Sequence, residues 1–215
     1  MIKVENIEVM NFKNAIRGMR NPLESWSQSD STMVAGEFIL GDQDRELALR
    51  LIKSGTDHSK FMRQIFVAMD ITAPMSWWWD FDTYKVSTTK NSTSRMHKLG
   101  TRLLTFDDFT VDDENGEIRI TPLRRQVLLE LNLRIAHYRT IKDSDPIAAK
   151  KLWRDMMLDL PASYNFYSTW TGSYENLRNI YHARKNHKQR EFRDFCRIIE
   201  SLPCCELITV KRATA

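Results

Sequence analysis

Apolar positions along this chain fall into two periods. In residues 42–54, DQDRELALRLIKS, Leu47, Leu51 and Ile52 recur at helical spacing, and Gly55 supplies a natural stop. Residues 122–141 put Leu123, Val127, Leu131 and Ile135 on the stripe of a longer helix. Asp145-Pro146 joins a cap to a proline at the first helical position and opens a third helix to about Leu158, before Leu160-Pro161 breaks the pattern. A last long helix is predicted from about Tyr174 to Glu200, ahead of Pro203. Residues 1–10 alternate enough for an edge strand, and QIFVAMDI (64–71) is an apolar run of strand length that Pro74 ends. Pro74 can in turn open a helix. Asn115-Gly116 between Phe109–Val111 and Ile118–Ile120 signals a hairpin, and TTKNSTS (88–94) reads as a hydroxyl-rich loop. Together these elements predict an α+β fold with several long helices and a modest antiparallel sheet.

The 215 residues suit one domain with a full core or two small ones. No repeat or low-complexity linker divides them, so a single domain over 1–215 is expected. No apolar stretch approaches the roughly 20 residues a membrane span needs, and the first residues lack the apolar segment of a signal peptide. Three cysteines, Cys196, Cys204 and Cys205, cannot all pair within the chain and have no metal-ligand spacing. A cytoplasmic protein without a metal site is the expectation. The net charge of +4 admits a nucleic-acid partner without requiring one, and suits phosphate-bearing small molecules equally well.

Candidate chemistry lies in two places. Leu177, Ile180, Tyr181 and Arg184 fall at i, i+3, i+4 and i+7, which puts a guanidinium on an apolar helix face. Such an arginine either snorkels or pairs with a core carboxylate, or it is presented to a bidentate acceptor such as a phosphate or a pyrimidine carbonyl. The second place is the loop holding Lys85, Thr88, Asn91, Thr93, Ser94 and Arg95, where cations and hydroxyls together can cradle a phosphate, although such loops are commonly just solvated. Trp77, Trp78, Trp79 and Phe81 read as core or subunit interface, or as a stacking platform. His182 and His187 are expected on the wet side of the last helix, and Cys196 is expected packed within it.

At these residues the chain resembles the flavin-dependent thymidylate synthases. That family's signature is Ala-Pro, an aromatic-bearing helix, Arg-His-Arg, then Ser-x-Asn-Glu-x-Ser-x-Arg. Counted from Ala73-Pro74 without a gap, Arg-His-Arg falls on Thr83, Tyr84 and Lys85. The first serine falls on Thr88, Asn-Glu on Lys90-Asn91, the second serine on Thr93 and the closing arginine on Arg95. Upstream, the family's histidine matches His58 in GTDHSKF. Downstream, Leu160-Pro161, Trp170-Thr171 and Arg184 keep the family's spacing to the arginine that engages the uracil ring, and Gln189-x-Glu191-Phe192-Arg193 follows after a one-residue deletion. Several chemical positions depart. Only Lys85 keeps a cation of Arg-His-Arg, Asn91 replaces the motif glutamate, and Ser173 and Glu175 replace an asparagine and an arginine that contact the flavin. A negative Glu175 is expected to repel a flavin diphosphate.

The resemblance implies a thymidylate synthase-like fold that converts dUMP to dTMP with FAD, with methylene-tetrahydrofolate and NADPH as co-substrates and no cysteine nucleophile. Arg184 would be the catalytic arginine, stabilising charge on the pyrimidine. Arg95, Thr93, Ser94 and Asn91 would bind the nucleotide with it, and His58, Thr83, Tyr84, Lys85 and Asn91 would contact the flavin. The resemblance also implies a homotetramer with sites built from several subunits. Two other readings stay open: a nucleotide-binding protein that has lost flavin chemistry, and a basic nucleic-acid-binding protein using Lys185, Lys188, Arg190 and Arg193. Charge on both faces of a solvated helix explains those four residues without a partner, which makes nucleic acid the weakest reading.

Overall fold

A computed structural model describes residues 2–212. Their backbone is a mixed helix and sheet structure. In chain order the elements are β1 (Lys3–Met10), α1 (Phe12–Met19), β2 (Thr32–Val34), β3 (Glu37–Ile39), α2 (Asp42–Lys53), β4 (Phe66–Pro74) and α3 (Met75–Phe81). There follow β5 (Thr89–Ser92), α4 (Arg95–Lys98), α5 (Pro122–Ile141), α6 (Pro146–Leu158), β6 (Asn165–Ser173), α7 (Tyr174–Arg184), α8 (Arg190–Glu200) and α9 (Glu206–Thr209). Four strands form one small sheet in the order β1-β4-β6-β5, and β2 and β3 form a separate antiparallel pair. The α+β expectation therefore holds. Residue contacts divide the chain into two compact units, one of Met1–Lys3, Ile71–Thr83 and Asn91–Ser168, the other of Val4–Asp70, Tyr84–Lys90 and Thr169–Ala215.

Strand β4 shows why an apolar run becomes a strand. Val67, Met69, Ile71 and Ala73 are buried in alternation, while Ala68, Asp70 and Thr72 turn to the other face. In β6, Ser168, Trp170 and Gly172 take the buried positions. A Cβ at Gly172 would sit 2.4 Å from the Trp170 ring, so any larger residue forces a shift there.

In the first unit, α5 and α6 close a core of Met75, Leu99, Leu104, Phe109, Val111, Leu131, Ile135, Met156 and Leu160. Both helices begin where the sequence predicts. Thr121 caps α5 by accepting from the Arg124 amide, and Asp145 caps α6 by accepting from the Ala148 amide, each followed by a proline. Leu123 is the exception on the α5 stripe. It lies at the first turn and stays exposed, so only the C-terminal part of the stripe reaches the core. Asn115-Gly116 does make its turn: the Gly116 amide donates to the Asp113 carbonyl, with φ of 87° at the glycine. Only an isolated bridge, Asp112 to Ile118, follows it, rather than paired strands.

The second unit has α7 at its centre, packed on α8, α9 and the turn at Lys60–Arg63. Tyr174, Leu177, Ile180, Phe192, Phe195, Cys196 and Ile199 are all buried. The predicted helix over 174–200 is two helices. Arg184 ends α7, α8 starts at Arg190, and the Arg193 guanidinium holds the linker by donating to the His187 and Lys188 carbonyls. Eleven residues separate Tyr181 from Phe192, about three helical turns. The apolar period thus crosses the break nearly in phase and gives no sign of it. The other difference is β5, which replaces a predicted loop. Its backbone pairs at the sheet edge, the Thr93 amide donates to the Tyr167 carbonyl, and Ser168 bonds Ser92 through their hydroxyls. Both faces of this strand are exposed, so no apolar alternation announces it.

Candidate functional site

Ser94 is the N-cap residue of α4 in the first unit, and the hydroxyl-rich segment leads into it. Thr93 Oγ1 donates to the Tyr167 carbonyl at 3.3 Å. Ser94 Oγ lies 2.9 Å from His97 Nδ1. The Arg95 guanidinium stacks 4.9 Å over the Phe166 ring and points Nη1 at the Met75 sulfur, 3.8 Å away. No acidic group is among these contacts, and the aromatic face holds the cation without neutralising it. Asn91 is exposed on β5, and Thr83 Oγ1 turns back to the Asp80 carbonyl at 2.7 Å. Of the tryptophans in α3, Trp77 and Trp78 are buried and pack with Phe81, whereas Trp79 is exposed.

Arg184 belongs to the second unit. Its Nε donates to the Tyr84 hydroxyl at 2.9 Å, and its Nη1 meets His187 Nε2 at 2.7 Å. The guanidinium carbon lies 4.7 Å from the Phe192 ring centre and 5.5 Å from that of Tyr84. The helix-face position read from the sequence therefore does present a cation against aromatic rings. Two expectations change here. His187 is not a solvated surface group but a partner of Arg184. His182 reaches the Ile208 carbonyl at 3.1 Å through Nε2, and burial together with nearby Arg178 pushes its pKa down.

Glu175 also differs from expectation. It is buried at the start of α7, and the Arg212 guanidinium closes on both carboxylate oxygens at 2.8 and 3.1 Å while also reaching Ser59 at 3.2 Å. A charge met this closely does not act as a bare repulsive centre. Arg178, also buried, donates to the Ile208 and Val210 carbonyls and so ties the C-terminal end of α9 to α7. Ser173 is the α7 cap, exchanging bonds with Asn176.

His58 and Lys60 line a cleft of about 850 Å³ in the second unit, a size typical of ligand pockets. Gln43, Glu46, Leu47, Arg50 and Leu51 of α2 line it too, as do Asn21, Leu23 and Phe61. Of the three apolar positions at helical spacing, Ile52 lies on the buried face of α2 with Asp44 and Ala48, while Leu47 and Leu51 line this cleft. That face holds an ion pair that hydrophobic periodicity did not reveal. Asp44 accepts from Arg20 Nε at 2.6 Å, from Ser29 Oγ at 2.7 Å and from Ser31 Oγ at 2.6 Å. Burial pushes the Asp44 pKa up, but these bonds outweigh it and hold the carboxyl below its ordinary value.

The predicted site residues thus fall into separate groups. Thr83, Asn91, Thr93, Ser94 and Arg95 lie in the first unit; His58, Tyr84, Lys85 and Arg184 lie in the second. Tyr84 and Arg184 are in direct contact. His187, Phe192 and Arg212 were missed. The spacing of three between Arg184 and His187 could have indicated the first, whereas nothing local marks Arg212 as the partner of Glu175.

Among the described residues, no group of three His, Cys, Asp or Glu could hold a metal ion, and no helix is long and apolar enough to cross a membrane. No protein-family model and no curated protein matches the chain. Solved structures are similar. A thymidylate synthase X (ThyX) from Helicobacter pylori, crystallised with FAD and dUMP, superposes with a TM-score of 0.69 over 98% of this chain and 100% of its own, at 15% identity. A flavin-dependent thymidylate synthase ThyX from the same organism, complexed with FAD and dUMP, gives 0.67 over 96% and 98%, at 17% identity. With so little identity over so nearly the whole chain, the likeness is one of architecture: the chain has the fold of these thymidylate synthases.

Proposed function

We propose that this protein binds dUMP and methylates it to dTMP with FAD, drawing on methylene-tetrahydrofolate and NADPH. The observation that carries the reading is the match over almost the whole chain to two structures holding FAD and dUMP, at a fold whose Arg184 here sits against aromatic rings. Arg184 would donate to the pyrimidine carbonyls and stabilise the negative charge that develops on the ring. Arg95, with Thr93, Ser94 and Asn91, would hold the phosphate. Arg95 is suited to this because its stacked guanidinium is held in place by an aromatic ring. His58 and Lys85 are exposed and, among the described residues, make no side-chain hydrogen bond or ion pair. Their donors fit an anionic cofactor, as do those of Tyr84 and Asn91, and Thr83 would join them once its hydroxyl leaves the Asp80 carbonyl. Bound FAD would supply the redox equivalents, and the chain would supply orientation and electrostatics. The assembly would be a homotetramer, as the family resemblance implies.

A second reading has its own support. Thr83, Tyr84 and Lys85 carry one cation where the family has three basic residues, and Glu175 is occupied by Arg212. A dUMP-binding protein without flavin chemistry fits those two features.

Titration of FAD into the purified protein, with and without dUMP, separates the readings. Saturable flavin binding followed by dUMP-dependent oxidation of reduced flavin supports the enzyme. dUMP binding with no flavin affinity supports the second reading, and absence of dUMP binding overturns both. Light scattering tests the tetramer. Arg184→Ala is expected to abolish dUMP binding while the protein stays folded; an unfolded variant would make the arginine structural.

A further inference from the structure

His187 faces a conflict that has a functional consequence. Its Nε2 lies 2.7 Å from Arg184 Nη1, and its Nδ1 lies 3.2 Å from the Gln189 backbone nitrogen. A guanidinium and a backbone N–H can only donate. A neutral imidazole has one lone pair and one N–H, so it can accept from only one of these two donors. The shorter contact involves a charged donor and is the stronger of the two. The lone pair therefore belongs on Nε2 and the proton on Nδ1. Either neutral tautomer sets two N–H groups against each other, at 3.2 Å with the proton on Nδ1 and at 2.7 Å with it on Nε2, and the longer separation costs less.

The same ring packs edge-on against Phe192, with centroids 5.0 Å apart, and Phe192 is the ring on which the guanidinium stacks. Tyr84 accepts from Nε. One acceptor on Nε, one on Nη1 and an aromatic ring beneath fix the plane of the guanidinium and its rotation in that plane. A planar fork held in this way is prepared for a planar acceptor.

We propose that His187 is the positioning residue for Arg184, and that the unprotonated Nε2 is the atom that does it. The inference rests on reading Arg184 as the pyrimidine-facing arginine and adds the group that orients it. A structural role is the rival: Nδ1 would then matter, as the acceptor for Gln189, the residue at the N-cap of α8.

Two amide substitutions separate these roles in the full-length protein. His187→Gln puts an acceptor near the Nε2 position, and His187→Asn puts one near the Nδ1 position. Calorimetric titration with dUMP should show His187→Ala and His187→Asn weakened roughly tenfold, as expected for one lost hydrogen bond to a charged group. His187→Gln should stay within about threefold of the parent. Binding restored by asparagine and not by glutamine overturns the proposal. A second measurement uses the unaltered protein: nitrogen NMR of its labelled histidines should show His187 Nε2 without a proton and Nδ1 with one. A proton on Nε2 overturns the positioning role even if dUMP binds. If dUMP fails to bind while Nε2 carries the lone pair, the pyrimidine reading falls and the orientation of Arg184 by His187 stands.

Discussion

Replacing Asp44 with alanine should destabilise the second unit more than any surface change, and the magnitude follows from its surroundings. Asp44 is wholly buried and Arg20 is 4% exposed. Without the carboxylate, the Arg20 guanidinium keeps one 3.4 Å approach to the Ser25 carbonyl. Ser29, Ser31 and the Ser31 amide lose their shared acceptor at the same time. Breaking one partner of a buried pair costs about 3–5 kcal/mol. In a chain of this length each kcal/mol corresponds to about 2–4 °C in Tm, so a fall of about 10 °C is expected. Differential scanning calorimetry measures it, and the double variant Arg20→Met with Asp44→Leu is the control. Removing both charges should cost less than removing Asp44 alone, because no charge is left buried. A loss below about 1 kcal/mol for Asp44→Ala, on the scale of an ordinary surface substitution, would refute the reasoning. The same carboxylate carries an acid signature. Its folded pKa lies below the ordinary 3.8, so its stabilisation is present above that value and is lost as pH falls through the folded value.

Four further outcomes are expected. His182 has a folded pKa pushed below 6.5 by burial and then by Arg178, so its stabilisation is full above 6.5 and declines as pH falls towards the folded value; His182→Gln should flatten the Tm profile across that window. Trp77→Ala should cost about 3–5 kcal/mol in urea unfolding, and Trp79→Ala, at an exposed position, less than about 0.5 kcal/mol. Gly172→Ala should cost about 1–3 kcal/mol, since the added methyl meets the Trp170 ring, and thermal unfolding reads it. Arg212→Ala should destabilise the parent but have a smaller effect in a Glu175→Gln background, a coupling that a double-mutant cycle measures.

Local signals account for much of the architecture. Pro122 and Pro146 with their capping residues located α5 and α6, because a helix start needs side-chain acceptors and tolerates proline in its first turn. The apolar run ending at Pro74 located β4, because one face of that strand is wholly buried. Arg184 was legible because a cation in an apolar stripe breaks the period that surrounds it. Elements held by long-range pairing were not legible. β5 is polar on both faces and exists through its backbone bonds to β6, 70 or more residues away.

The sequence by itself therefore determined the α+β class, the main helix starts and the central strand, since caps, prolines and period act over a few residues. Only the tertiary structure decided that Asp44 belongs to Arg20, that Glu175 is answered by Arg212, and that Tyr84 meets Arg184. Those pairs join positions 24, 37 and 100 residues apart. A charge carries no local mark of its partner; it acquires one only when folding removes water from between the two.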